Sequence, residues 1–106
     1  MEQPTSCARF EKGMELLSKR WIGLIVHRLL PGPSRFCAIE SAIPISARLL
    51  SDRLKYLENE GIVRREVFPD TPVRVEYSLT EKGRALEPVV RAIEAWSYRY
   101  IDPSCE

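Results

Sequence analysis

Ser46-Ala47-Arg48-Leu49-Leu50-Ser51-Asp52-Arg53-Leu54-Lys55-Tyr56-Leu57-Glu58-Asn59-Glu60-Gly61 carries two helical faces of opposite character. Leu50, Leu54 and Leu57 fall at i, i+4 and i+7 and share one apolar face. Ala47, Arg48, Ser51 and Lys55 gather on another, which is short, polar and cationic. Ser46 supplies an N-cap and Gly61 a C′ residue, so both ends of the helix are signalled. Beyond Gly61 the period drops to two. Ile62–Phe68 reads as a strand, Pro69-Asp70-Thr71-Pro72 as a turn, and Val73–Leu79 as a second strand with clean alternation.

On the other side, Pro31-Gly32-Pro33 ends a preceding helix, and Ser34 is placed to cap a short helix over Arg35–Ala42 that turns Phe36 and Ile39 inward. Ile43-Pro44-Ile45 makes the turn into the polar-faced helix. Short helix, tight turn, capped helix and hairpin follow in the order of a winged helix-turn-helix. The expected fold is mainly α with a small β-hairpin (α+β), with the helix-turn-helix over about 34–61 and the wing over about 62–79.

Further out lie two more helices. Thr5 or Ser6 can cap a first helix with Phe10, Met14 and Leu17 on one face, in which Gly13 costs about 1 kcal/mol relative to alanine. Trp21–Leu30 is apolar over most of its circumference and is expected to be the central buried helix. Thr80 caps the last helix, whose stripe is Leu86, Val89, Val90, Ile93, Trp96 and Tyr100. Pro88 inside it should kink it or split it in two. These terminal stripes, over about 7–20 and 80–101, exceed what one small core requires. A two-fold dimer that packs them against their symmetry mates is the expectation. The alternative is that both fold back on their own subunit.

Composition narrows the classes of function. The 106 residues make one domain, with 44% hydrophobic and 29% charged residues, ordinary values for a globular chain. No run reaches the roughly 20 apolar residues of a membrane span and no signal-peptide pattern opens the chain, so a cytoplasmic protein is expected. A net charge of +1 is not a strongly basic footprint. The bases are unevenly spread, however: Arg9, Lys12, Lys19, Arg20, Arg28 and Arg35 face only Glu11 and Glu15 over the same span. Cys7, Cys37 and Cys105 form no CxxC pair and have no neighbouring histidine, so neither a zinc motif nor a disulfide scaffold is indicated. No acid–base pair, activated nucleophile, metal cluster or phosphate loop is present, so neither an enzyme nor a cofactor is expected.

Ser46, Ala47, Arg48, Ser51 and Lys55 are the residues expected in a DNA major groove, since the N-terminal side chains of a recognition helix reach base edges. Arg53 either touches phosphate or pairs locally with Asp52 or Glu58. Arg35, at the start of the preceding helix, is a candidate phosphate contact. Arg65 and Arg74 flank the wing; its tip, Pro69-Asp70-Thr71-Pro72, carries no base, so a minor-groove probe would have to be Arg74 or nothing. Arg74 has a structural alternative, an ion pair with Glu76 or Glu66 across the hairpin. His27 reads as a packed or hydrogen-bonded side chain, Trp21 and Trp96 as core or interface anchors, and Cys37 as a small buried hydrophobe.

Several motifs in order carry a resemblance to a known family: Lys19-Arg20-Trp21, Gly32-Pro33-Ser34-Arg35-Phe36, Leu50-Ser51-Asp52-Arg53-Leu54, Pro69–Tyr77 and Leu79-Thr80-Glu81-Lys82-Gly83. From Cys7 to Trp96 the chain resembles the HxlR-type winged-helix transcription regulators. That resemblance implies a homodimer bound to double-stranded operator DNA. Cys7 stands fourteen residues before Trp21, with Leu16-Leu17-Ser18-Lys19-Arg20 between them. This is most similar to the YodB/CatR-type repressors, which sense quinones, diamide and related electrophiles through that thiol. Cys7 is thus the candidate sensor. Its place near a helix start, with Arg9 and Lys12 close by, suits a nucleophilic thiol. The chain departs from this branch in two places. Its Ile43–Ser46 turn is one residue shorter than in some relatives, and Cys105, the candidate partner thiol, lies further beyond the C-terminal tryptophan. Two other functions are compatible with the sequence: a ligand-controlled regulator without thiol sensing, and a winged helix used only for protein–protein contact.

Overall fold

The computed structural model describes residues 4–103, with side chains from Cys7 onward. The order is α1 (Pro4–Ser18), α2 (Ile22–Leu29), α3 (Phe36–Ala42), α4 (Ala47–Asn59), β1 (Val63–Phe68), β2 (Arg74–Leu79), α5 (Glu81–Arg84) and α6 (Glu87–Tyr100). It is a winged helix-turn-helix: α3 and α4 form the helix-turn-helix, and the antiparallel β1–β2 hairpin forms the wing. In the hairpin Val63 pairs with Leu79 and Phe68 with Arg74.

The core lies where α2, α3, α4 and the base of the hairpin meet. Leu50, Leu54 and Leu57 of α4 are buried, as their spacing requires, against Ile22, Ile25, Val26 and Leu29 of α2. Ile39, Ile62, Val63 and Leu79 close it from the other sides. The second helix is the central one, as expected, but of its apolar residues Leu24 is an exception and is exposed. Gly23, Leu24, His27 and Arg28 are exposed, because α1 and α6 leave one flank of α2 uncovered.

The end of α4 is tied to the end of the wing. Gly61 adopts φ 76°, a left-handed conformation that glycine reaches without Cβ strain. Gly61 N–H then donates to Glu58 O at 3.0 Å and Ile62 N–H to Leu57 O at 2.9 Å, the paired bonds of a Schellman motif. Thr80, at the far end of β2, donates its hydroxyl to Gly61 O (2.6 Å) and accepts from Gly83 N–H (3.1 Å), capping α5 as its sequence indicated. Replacing Thr80 by valine, which keeps the shape but loses both bonds, should cost about 1–2 kcal/mol in urea unfolding.

Several local expectations change. Ser34 does not cap α3; it pairs with Tyr77 by two backbone bonds of 2.9 and 2.8 Å, adding a one-residue bridge to the sheet's second edge. Arg35 takes the N-cap position without a side-chain bond. α1 begins at Pro4, so Thr5 and Ser6 lie inside it rather than capping it. Trp21 stands outside α2 at φ 80°, the left-handed region that costs an L-residue roughly 1–2 kcal/mol. Cys37 is exposed, not a buried hydrophobe: the inward positions of the seven-residue α3 are taken by Ile39 and, in part, Phe36. Pro88 acts as expected. The chain breaks at Ala85–Leu86, and the proline falls in the first turn of α6, where its missing N–H is harmless.

The terminal helices do not fold back to hide their stripes. Phe10 is 70% exposed, Met14 48%, Ile93 53% and Trp96 57%. Val90 alone of the α6 stripe is fully buried, with Leu86 packed on the core and Val89 and Tyr100 exposed. No helix is long and apolar enough to cross a membrane among the described residues.

Candidate nucleic-acid interface

The Ser46 hydroxyl accepts from Leu49 N–H at 3.2 Å, fixing the N-terminus of α4 at the surface. Ala47, Arg48 and Lys55 are exposed beside it and Ser51 is half-buried. A groove of about 390 Å³ runs between this face and the wing, lined by Ser51, Leu54, Lys55, Glu58, Arg65 and Tyr77. Lys55 and Arg65 thus share one channel, although they come from different elements. Sequence reasoning missed Glu58 and Tyr77. The i, i+4, i+7 spacing of Ser51, Lys55 and Glu58 would have found the first, and the cross-strand pairing of Arg65 with Tyr77 the second.

Arg35, Arg48, Lys55 and Arg65 make no ion pair among the described residues. Cations left unpaired at a surface are available to phosphate. Arg74 is different. Its Nε donates to Asp70 at 2.9 Å and its Nη1 to Glu76 at 2.6 Å, while the guanidinium lies 4.0 Å from the Phe68 ring centroid. The hydrogen bond to Asp70, then that to Glu76, raises its pKa above the ordinary arginine value. Its structural alternative is the one seen, with Asp70 added and Glu66 not used: Arg74 braces the wing between two carboxylates. Arg53 also departs from the sequence reading. It bonds neither Asp52 nor Glu58; its Nε donates to Arg20 O at 2.9 Å, fastening α4 to the turn before α2.

Away from this surface, α1, α2 and α6 enclose an open apolar groove of about 410 Å³ lined by Leu17, Gly23, Leu24, His27, Val90 and Ile93, with Glu94 at its edge. His27 Nε2 lies 3.3 Å from Glu94 Oε2, the hydrogen-bonded role expected of it, but on the surface rather than in the core. The Glu94 carboxyl is held below the usual range chiefly by its hydrogen bond from Arg91, then by that from His27. Cys7 is exposed in the first turn of α1, on the same side as Phe10 and Met14 by spacing. Cys105 lies outside the described residues. Among the described residues no group of His, Cys, Asp and Glu could hold a metal ion.

Comparison with known proteins agrees with this architecture. Residues 16–105 match the model of the HxlR-like helix-turn-helix. The chain is 56% identical to the HTH-type transcriptional regulator YvaP of Bacillus subtilis over 98% of this chain and 97% of that protein. It is 49% identical to YodB of the same organism over 93% and 89% respectively. The reduced form of YodB superposes with a TM-score of 0.81 at 47% identity, covering 97% of this chain and 98% of that one. YodB is also known diamide-treated and quinone-bound. The redox regulator HypR in its oxidised form gives a TM-score of 0.84 at 37% identity, covering 89% and 98%. A family match over most of the chain, on a fold whose capped, cationic α4 stands free beside a wing, makes this protein a member of the HxlR-like helix-turn-helix family of transcriptional regulators.

Proposed function

We propose that the protein is a homodimeric repressor that binds a pseudo-palindromic operator and releases it when Cys7 is alkylated or oxidised. The observation that carries the DNA reading is the shared channel of Lys55 and Arg65 beside the free N-terminal half of α4. In this reading Ser46, Ala47, Arg48, Ser51 and Lys55 meet base edges, while Arg35 and Arg65 meet phosphate. Arg53 and Arg74 hold the scaffold that presents them.

Dimerisation is supported by the exposure of Phe10 and Met14 on α1 and of Ile93 and Trp96 on α6, large apolar side chains on the two terminal helices. Val89 extends the exposed side on α6, and Leu17, Leu86 and Val90 continue inward from it. Cys7 shares the α1 side of this stripe, so a group added to its sulfur would enter the subunit contact. The thiolate adds to a ring carbon of a quinone as a C=C electron pair shifts to the carbonyl oxygen; the proton on that carbon then leaves, and both oxygens are protonated with one net proton from solvent, leaving an aryl thioether of the hydroquinone. Diamide instead takes two electrons and two protons from two thiols, one being Cys7 and the other a cysteine such as Cys105 of the partner subunit. Either product is expected to turn one recognition helix relative to the other.

The test is binding of the reduced protein to duplex DNA from around its own gene, before and after diamide. Cys7→Ser should bind as the wild type does when reduced and should keep its binding after treatment. Equal loss in Cys7→Ser would sink the sensor; absence of specific binding in the reduced protein would sink the regulator. A ligand-controlled regulator is the second reading, favoured by the apolar groove rimmed by His27 and Glu94. An operator response to small aromatic compounds that survives in Cys7→Ser would select it.

A further inference from the structure

α4 has a third face. Going round the helix at about 100° per residue, Ser51 and Lys55 line the groove with Arg48 on the same side by spacing, and Leu50, Leu54 and Leu57 face the core. Arg53 and Tyr56 fall on the remaining side, across the helix from the groove. That side meets the turn between α1 and α2. Lys19 Nζ stands 4.9 Å from the centroid of the Tyr56 ring, and Arg53 Nε donates to Arg20 O at 2.9 Å. Arg20 in turn lies over the Trp21 ring at 4.7 Å. The turn has little slack of its own: Ile22 N–H bonds Lys19 O at 3.2 Å, and Trp21 is held in the left-handed region.

This junction controls more than its size suggests. α1 packs chiefly on α2 rather than on the DNA-facing body, so its direction is set by the three residues that join them. Two of those residues are gripped from α4. We propose that Lys19 and Tyr56 are positioning residues that fix the angle between the dimerisation helix α1 and the recognition helix α4, and thereby the half-site spacing the dimer accepts. The inference rests on the dimeric DNA-binding reading above and adds to it a determinant of specificity that touches no DNA.

The geometry makes spacing a sensitive readout. A helical turn of about 34–36 Å over roughly 10–10.5 base pairs means that one base pair shifts a half-site by about 3.4 Å and rotates it by about 35°. A rigid α1–α4 angle rejects that displacement, whereas a loosened one follows it. Neither Lys19 nor Tyr56 lines the groove, so direct contacts are left intact in their variants.

The experiment uses the duplex that the full-length wild-type protein enriches from a random pool, together with versions lengthened or shortened by one base pair at the dyad. Wild type should bind the altered spacings about tenfold or more weakly, and Tyr56→Leu and Lys19→Met only about threefold more weakly than their own best duplex. Lys19→Arg keeps a cation over the ring and should restore the wild-type discrimination. Wild-type discrimination in Lys19→Met, an exposed position where folding is not at stake, overturns the proposal whatever Tyr56→Leu does. If the wild type enriches no duplex, the DNA-binding reading itself falls and the proposal with it. Enrichment without any spacing preference overturns only the positioning role.

Discussion

Operator affinity should fall by about 10³–10⁵ between roughly 50 and 200 mM salt, the behaviour of an interface that releases about six to ten counterions. The unpaired cations of the proposed DNA-facing surface account for that size. Among the described residues Arg35, Arg48, Lys55 and Arg65 have no carboxylate partner, which gives about eight phosphate-competent charges in the proposed dimer and a slope near −7 on logarithmic axes. Arg74 is excluded because two carboxylates already surround it, and Arg53 because it is bonded to a backbone carbonyl. The net charge of +1 does not weaken the expectation, since screening acts over about 10 Å and local charge, such as that of Lys55 and Arg65 in the groove, outweighs the total. Fluorescence anisotropy of a labelled operator across salt concentrations reads the slope directly. A value shallower than about −3 would mean that most of these cations do not meet phosphate. Arg48→Ala separates base from backbone contact. As a base reader it should cost about 1–3 kcal/mol and relax the preference at one position of each half-site, whereas a phosphate contact would lower every sequence alike.

The second large effect is on stability. Gly83→Ala should lower it by about 3 kcal/mol, a melting shift of about 10–20 °C for a domain of this size. Gly83 is buried in α5 at the point where that helix crosses the start of the wing. A Cβ there would fall inside hard-contact distance of the Ile62 carbonyl oxygen and 3.1 Å from Leu79 Cδ2. The first obstacle is backbone, so no rotamer relieves it. Moving the backbone would also strain the Thr80 N–H bond to that same carbonyl, 3.0 Å long, which links β2 back to the end of α4. Thermal unfolding followed by far-ultraviolet circular dichroism measures the loss. A shift under about 3 °C would show that the backbone yields freely there.

The element order could be read from the sequence because its signals are local. The Ser46 cap, the Gly61 stop, the Thr80 cap and the Pro88 break each act within one helical turn of their own residue. The leucine spacing of α4 was equally sufficient, since that face has nowhere to go but the core. What escaped were features made by residues far apart. Ser34 looks like a cap until Tyr77 arrives from the wing to claim its backbone. Arg53 looks paired to its helical neighbours until Arg20 presents a carbonyl from 33 positions away. Leu24 of α2 looked buried on composition alone, although its coverage depends on how α1 and α6 pass it. The candidate DNA surface was legible as a list of cations. The sorting of that list into braces and free charges was not, because it turns on which carboxylates the fold brings near.

Thr80 connects the Gly61 carbonyl at the end of α4 to the N–H of Gly83, so α4, the wing and α5 share a single fastening. Nothing in that fastening, nor in the core beneath it, uses Ala47, Arg48 or Lys55. In the proposed function, the operator address is therefore written on a removable label. A lineage that duplicated the gene could rewrite those few positions, acquire a new target and inherit the folding energy untouched. The same separation offers a practical route to orthogonal switches: exchange the exposed residues of α4, retain everything that Thr80 holds together, and the response proposed for Cys7 is carried along unchanged.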